Sequence, residues 1–139
     1  MSPPFRISFE HELQYKEVHG LDGIYPAVVI GLIGPAGQDD LLAIVDTGAH
    51  YCLFDGRRAK SLGLDLASGQ AVTLGGLSGN LPARLHRVTL EIEGARFECD
   101  VAFSEGPIRR ELLGRHDLFG QIRLGFREGQ SCWYLHPQP

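Results

Sequence analysis

The chain has 139 residues and a formal net charge of -4, and its length suits one compact domain rather than two. No run of Lys or Arg exceeds the pairs Arg57-Arg58 and Arg109-Arg110, which is too little for the clustered basic face of a nucleic-acid-binding protein. No apolar stretch approaches the length of a membrane span, and the first residues lack the pattern of a secretory signal. We therefore expect neither nucleic acid nor a membrane as a partner.

Cysteine and histidine usage predicts neither disulfides nor a metal site. Cys52, Cys99 and Cys132 are odd in number and lie far apart, without Cys-x-x-Cys spacing. The six histidines show no His-Glu-x-x-His pattern. We expect reduced, buried thiols, no metal, no cofactor and a cytoplasmic location.

Short apolar runs separated by Gly, Pro and Asp predict a mostly β chain with little helix. Alternation of apolar and polar residues over 5–9 predicts an N-terminal strand. A second strand is predicted over residues 24–33. It turns at the Gly- and Pro-rich residues 34–37 and returns as a strand over 41–45.

One short helix is predicted after a strand over residues 51–54. Asp55 is placed to cap this helix, which runs to Leu62 and stops at Gly63. Residues 72–85 then predict a hairpin with a glycine-rich tip.

The apolar positions change parity beyond this hairpin, from odd numbers up to Leu85 to even numbers from Val88. This shift predicts a bulge or bend near residues 86–87. Further strands are predicted after it, and a second short helix is predicted over residues 116–120. The later strands cover residues 97–103, 122–126 and 132–136.

The tetrapeptide Asp46-Thr47-Gly48-Ala49 follows the apolar run 41–45, which places a carboxylate just past a buried strand. A carboxylate at that position is costly unless it is paired or has a catalytic task. Gly48 allows a sharp backbone turn beside Asp46, and Thr47 supplies a hydroxyl that can brace the turn. Asp46 is therefore the candidate catalytic residue.

A second segment, Leu112-Leu113-Gly114-Arg115, follows the hairpin. In this order the two segments resemble the single-domain retropepsin-like aspartic proteases, over residues 24–127. The resemblance implies an all-β acid-protease fold, namely a closed β-barrel with one or two short helices, in a homodimer. It also implies three parts of the chain: an N-terminal extension over 1–23, the retropepsin-like domain over 24–136 and a tail over 137–139.

The same resemblance assigns the site. Asp46 would be catalytic, and the residues that support it would be Thr47, Gly48, Ala49, Leu112, Leu113, Gly114 and Arg115. The tip of the hairpin would be the flap that closes over substrate. Its residues are Gly75, Gly76, Leu77, Ser78 and Gly79.

The chemistry of this family demands two carboxylates that share a proton, one acting as base toward water and the other as acid. The chain contains one Asp-Thr-Gly and no Asp-Ser-Gly. A catalytic site therefore needs the Asp46 of a second, identical chain across a two-fold axis.

Retroviral members carry an Asp where this chain has His50, and that Asp pairs with the arginine that corresponds to Arg115. Arg115 is therefore expected to pair with Asp117 or Asp55. His50 either tunes the two carboxylates or points to solvent. Trp133 is expected in the core or at a dimer contact.

The resulting hypothesis is an aspartic endopeptidase, a homodimer that hydrolyses peptide bonds in peptide or protein substrates. The alternative is a catalytically weak or inactive retropepsin-like domain that binds extended peptides or mediates dimerisation. A third interpretation is a β-barrel in which Asp46 only caps a turn.

Overall fold

The structure is a computed structural model that describes residues 3–76 and 79–138. In this part of the chain the strands are joined mainly by short turns, with one single-turn helix, α1 (Arg58–Ser61), and two 3-10 turns (Leu66–Ser68 and Glu128–Gln130). No helix among the described residues combines the length and the apolar character needed to cross a membrane. The strands are β1 (His11–Gln14), β2 (Lys16–Glu17), β3 (Ile24–Tyr25), β4 (Ala27–Ile33), β5 (Gln38–Val45), β6 (Leu53–Asp55), β7 (Gln70–Gly76), β8 (Gly79–Ile92), β9 (Ala95–Ser104), β10 (Leu112–Leu113), β11 (Ile122–Arg127) and β12 (Cys132–Pro137).

The main sheet has seven strands in the order β4-β5-β10-β6-β9-β8-β7, and β4 also pairs with β8. Two of its pairings are parallel, β10 with β5 and β6 with β9. The chain ends in a separate sheet of order β1-β12-β11, and β2 pairs with β3. The prediction of a mostly β protein is therefore confirmed.

The hairpin β4-β5 forms as predicted, because the Gly and Pro residues between the strands close a tight turn in which the Gly34 N–H donates to the Gly37 carbonyl at 2.9 Å. The predicted single strand over 24–33 is interrupted at Pro26, which has no N–H to donate to a neighbouring strand. The Pro26 carbonyl still accepts a bond from the Val45 N–H at 2.8 Å. The hairpin thus delivers the end of β5 to a fixed place.

The main core lies against one face of the seven-stranded sheet and under the terminal sheet. Trp133 is 1% exposed and belongs to this core, which decides between the two expectations for that residue. Cys52, Cys99 and Cys132 are buried free thiols, as predicted. A smaller group, here called the second cluster, lies on the opposite face of the sheet. It consists of buried Leu53, Ala83 and Ala102 with the half-buried side chains of Tyr51, Val72, Leu74, Leu81, Leu85, Ile108 and Leu112.

The long strand β8 buries opposite faces in its two halves. Odd-numbered residues over 81–85 pack in the second cluster, whereas even-numbered residues over 88–92 pack in the main core. Pairing with β9 continues without interruption from Ala83 to Ile92. The predicted bulge at residues 86–87 is therefore wrong, because the change of parity reflects two apolar clusters on opposite sides of one regular strand.

The predicted N-terminal strand over residues 5–9 is also wrong. Phe5 is 82% exposed and Ile7 is 51% exposed, and no strand pairs with this segment among the described residues. The first strand of the chain is β1 instead. Apolar alternation alone does not make a strand when no neighbour receives its hydrogen bonds.

The helix predicted after Asp55 is reduced to the single turn α1. The Asp55 carboxylate accepts the Arg57 N–H at 2.9 Å just before it, and Gly63 follows it with φ +80°, as expected for a helix stop. The second predicted helix, over residues 116–120, is an irregular turn because Asp117 has a left-handed φ of +62°. The predicted division of the chain at residue 23 stays a prediction.

Candidate active site

Asp46 lies immediately after β5, at the start of a tight loop. Its N–H donates to the Leu113 carbonyl at 3.0 Å, and its own carbonyl accepts the Ala49 N–H at 3.1 Å. Its Oδ1 accepts the Gly48 N–H at 2.9 Å, which fixes the orientation of the carboxylate by an Asx-type turn. Within the described part of the chain, Oδ2 has no hydrogen-bond donor, and the side chain is half-exposed. One oxygen is thus held by the loop while the other is available.

The short strand β10 supports this loop from beside it. Leu112 pairs with Ile44 and Leu113 pairs with Val45 in parallel register, so β10 runs alongside the end of β5. The Arg115 N–H donates to the Ala49 carbonyl at 2.9 Å, which adds a bond beyond the strand. The structure therefore brings together the two segments that the sequence analysis singled out.

Gly114 is required by the closeness of the two segments. A Cβ atom at this position would lie 2.3 Å from the Tyr51 carbonyl oxygen and 2.9 Å from that of Ala49. Both neighbours are backbone atoms and cannot move aside as a flexible side chain can. The buried backbone of Gly114 therefore allows the loop and β10 to pack at contact distance.

Cys52 is a site residue that the sequence analysis missed. Its Sγ accepts the Gly114 N–H at 3.4 Å and lies 3.9 Å from the Gly114 carbonyl oxygen. Burial raises the pKa of the Cys52 thiol to about 11, so the group stays neutral and can both accept and donate. The signal in the sequence was its position in the predicted strand over 51–54, six residues after Asp46, but this position alone does not indicate a bond to Gly114.

Arg115 does not pair as predicted. Asp55 is bound by Arg57, with a shortest distance of 2.8 Å, and Asp117 is bound by Arg87 at 3.4 Å. The Arg115 side chain is exposed, and it makes no ion pair with any described residue. Both expected partners are taken by other arginines, one of them from the distant strand β8.

His50 is exposed, and its ring lies against two others. The ring centroids of His50 and Tyr51 are 4.5 Å apart, and those of His50 and His116 are 5.6 Å apart. The His116 N–H donates to the His50 carbonyl at 2.6 Å. Where the retroviral pattern has an ion pair, this chain has a cluster of rings in edge-to-face and tilted contact, and a backbone hydrogen bond joins His116 to His50.

Asp100, His116 and Asp117 offer oxygen and nitrogen atoms within 4.8 Å of one another. Arg87 already bridges this group, at 3.3 Å from Asp100 and 3.4 Å from Asp117. A guanidinium thus balances the two carboxylates.

The hairpin β7-β8 extends beside the second cluster. Val72 and Leu74 reach into that cluster, while Gly75, Gly76 and Gly79 are exposed. Leu77 and Ser78, predicted at the tip, lie outside the described residues. Arg84 anchors the base of the hairpin by donating to the carbonyls of Ala67 at 3.3 Å and Gly69 at 3.1 Å.

A network of charged side chains lies behind β10. Glu111 accepts two bonds from the Arg58 guanidinium, both 2.6 Å long, and one from the Asp55 N–H at 3.1 Å. The Glu111 carbonyl accepts the Ile44 N–H at 2.9 Å. Glu111 therefore ties α1 and β6 to β5, two residues before Asp46.

Comparison with known proteins identifies the class of this site. A family model described as aspartyl protease matches residues 31–116, more than half of the chain and including both segments of the site. The chain belongs to this family of aspartyl proteases.

A solved structure, EIAV protease complexed with the inhibitor HBY-793, has the same fold with a TM-score of 0.54 and 20% sequence identity. The match covers 75% of this chain and 92% of that one. The chain thus combines membership of the aspartyl protease family with the fold of a retroviral protease, as the sequence analysis predicted. A search of curated proteins found no match.

Proposed function

We propose that this chain is an aspartic endopeptidase that hydrolyses peptide bonds as a homodimer, through a water molecule held by two Asp46 carboxylates, one from each copy. The observation that carries the proposal is the geometry of Asp46. Its Oδ1 is fixed by the Gly48 N–H at 2.9 Å, and its half-exposed carboxylate has a second oxygen without a donor in the described part of the chain. A carboxylate that only capped a turn would need no support from a second segment.

The chemistry follows from two carboxylates placed together. Two adjacent negative charges repel, so the pair holds one proton between them. The ionised Asp46 removes a proton from water as the water attacks the peptide carbonyl carbon. The protonated Asp46 of the other copy donates to the carbonyl oxygen. The tetrahedral intermediate then collapses as its C–N bond breaks: the leaving nitrogen takes the proton that came from water, and one hydroxyl group of the intermediate returns a proton to the other Asp46.

The surface around Asp46 supports a second copy at this place. Thr47 and Gly48 are exposed although backbone hydrogen bonds tie their loop to Leu113 and Arg115. In the proposed dimer, the two loops meet across a two-fold axis and Thr47 braces them. Ala49, Leu112, Leu113 and Gly114 then hold each loop from behind. Arg115 contributes through its backbone N–H, which donates to the Ala49 carbonyl and holds the end of the loop.

We also propose where the substrate binds and how the strands close. An extended peptide would lie over the second cluster, under the glycine-rich tip of the hairpin acting as a flap. β4 pairs with β8, and this pairing connects the two ends of the run β4-β5-β10-β6-β9-β8. We therefore propose that these strands form a closed barrel.

Replacement of Asp46 by Asn tests the catalytic role. The amide keeps an oxygen for the Gly48 N–H but cannot act as a base, so cleavage of a peptide library should fall at least a thousandfold. Far-ultraviolet circular dichroism and the sedimentation coefficient should stay unchanged. Activity near that of the wild type would overturn the assignment.

Dilution tests the shared site. Because each site needs two chains, activity per chain should fall as sedimentation shows the dimer dissociating. Activity per chain that stays constant where only monomers remain would refute the two-copy mechanism.

A second candidate is a binding domain of the same fold without turnover. It is favoured by the surroundings of Arg115, whose side chain has no acidic partner among the described residues. Tight binding of peptides to a dimer that never cleaves them would establish this alternative.

A further inference from the structure

A surface pocket of about 650 Å³ lies behind the loop that connects β9 to β10, within the size range of ligand sites. Four arginines line it, and its apolar surface comes from Val18, Leu42 and Ile108. We call it the arginine pocket; the four residues are Arg57, Arg58, Arg109 and Arg110. No residue that the sequence analysis assigned to the active site lines it.

The acidic residues of the arginine pocket are already paired. Glu111 is bound by Arg58 at 2.6 Å, and Asp39 lies 3.6 Å from the same guanidinium. Asp55 is bound by Arg57 at 2.8 Å. Two arginines thus face three carboxylates, so this set keeps one negative charge, and Arg109 and Arg110 bring the lining of the pocket to a net charge of +1.

Arg109 and Arg110 stand outside this pairing. Both are exposed at the pocket wall, and neither makes an ion pair or a side-chain hydrogen bond with the described residues. The Arg57 side chain is also 85% exposed while it holds Asp55. The pocket thus presents guanidinium groups with free donors beside an apolar surface. Guanidinium forks match carboxylates in shape and charge.

The arginine pocket adjoins the surface that would hold a peptide. Ile108 lines the pocket and also packs in the second cluster. Leu42 of the pocket lies two residues before Ile44 on the same face of β5, a spacing of about 7 Å. Ile44 in turn pairs with Leu112 of the second cluster. A chain leaving the second cluster therefore reaches the pocket within a few residues.

We propose that the arginine pocket binds the acidic side chains of a substrate segment that flanks the cleaved bond, so that the preferred substrates are extended peptides with an apolar centre and an acidic flank. This inference rests on the proposed function for the position of the cleaved bond. The carboxylates pair with Arg109 and Arg110, and the apolar surface of the pocket covers the stems of the acidic side chains.

Binding and cleavage are tested separately. Fluorescence anisotropy measures binding to the Asp46→Asn protein of two labelled peptides with the same apolar centre, one flanked on both sides by Glu and the other by Gln. The Glu peptide should bind about five- to tenfold more tightly at low salt. In an Arg109→Gln/Arg110→Gln variant on the same background, the preference should fall below about twofold.

The matched control is Arg6→Gln/Arg96→Gln, which removes two positive charges at exposed positions outside the pocket and should keep the preference. Equal affinity for both peptides, or a preference that survives the loss of Arg109 and Arg110, would overturn the inference. Tighter binding of a single-stranded oligonucleotide of equal charge than of the Glu peptide would also overturn it.

Cleavage by the wild-type protein separates the two proposals. If the Glu preference depends on Arg109 and Arg110 but neither peptide is cleaved, the pocket is supported and the peptidase proposal fails. If both peptides are cleaved with the same kcat/KM, the peptidase proposal stands and the pocket proposal fails.

Discussion

The loop at Asp46 and the described end of the β7-β8 hairpin, residues 75–76 and 79–80, both include exposed residues, but they are held in different ways. The Asp46 loop is bonded to β10 and to Arg115 through backbone groups. The described end of the hairpin pairs within itself, Gly75 with Asn80 and Gly76 with Gly79, and no other strand of the described chain pairs with these residues. The difference teaches that exposure in this fold does not measure how tightly a turn is fixed. A loop fixed by backbone bonds suits a group that must keep its geometry, and a hairpin end that pairs within itself suits the proposed flap, which would have to open.

The largest effect is expected at Gly114. Alanine there would place Cβ 2.3 Å from a backbone oxygen, so the protein should lose about 3 kcal/mol of stability or fail to accumulate. The control is Gly76→Ala in the hairpin, where the nearest atom lies 3.9 Å away, and it should change stability by less than about 0.5 kcal/mol. Urea unfolding of both variants measures the contrast. Equal effects would remove the distinction between the two turns.

The next largest effect is expected at Glu111, which fixes β10 behind the loop. Its side chain is 14% exposed and that of Arg58 is 29% exposed, so Glu111→Gln should cost about 1–3 kcal/mol. The control is Glu91→Gln, which loses the more exposed pair with Arg96 and should cost less than about 0.5 kcal/mol. Peptide cleavage should fall with Glu111→Gln and stay unchanged with Glu91→Gln. A catalytic rate that survives the loss of stability would show that Glu111 does not position the loop.

The smallest effect concerns pH and Asp55. Hydrogen bonds from Arg57 hold the pKa of the Asp55 carboxyl below its usual range. The unfolded chain therefore binds this proton at higher pH than the folded one. The stabilisation is complete above about pH 4 to 5 and is lost as the pH falls through the lowered pKa. In Asp55→Asn, stability from urea unfolding should decline less steeply between pH 5 and 3. An unchanged slope would mean that other carboxylates set the acid sensitivity.

Local patterns in the sequence predicted those parts of the site that are formed by residues close together in the chain, such as turns. The Gly and Pro residues between β4 and β5 closed the predicted hairpin, and this placed Asp46 at its end. The position of Leu112, Leu113 and Gly114 beside the Asp46 loop was expected only from the resemblance, because two leucines and a glycine carry no information about their neighbour. The family is confirmed by comparison, while the catalytic roles remain proposals.

Three of the wrong predictions concern partners that are distant in sequence. Asp117 was expected to serve Arg115, but Arg87 reaches it from thirty residues away. The apolar alternation over residues 5–9 is real and finds no neighbouring strand in the described structure. The parity change in β8 was attributed to a bulge because the periodicity of apolar residues shows which face of a strand is buried. It does not show which group of side chains covers that face.

The uninterrupted strand β8 restricts how the length of this chain can change. Deleting or inserting one residue near positions 86–87 would leave one half of the strand in place. In the other half, every side chain would move to the opposite face of the sheet. Either the hairpin would lose its contacts with the second cluster, or Val88, Leu90 and Ile92 would leave the main core. The turn at Glu93-Gly94 has both residues exposed and in left-handed conformations. A change of length there would not have to preserve packing in both apolar clusters. Length variation among sequences of this fold should therefore concentrate at the ends of β8 and avoid its middle.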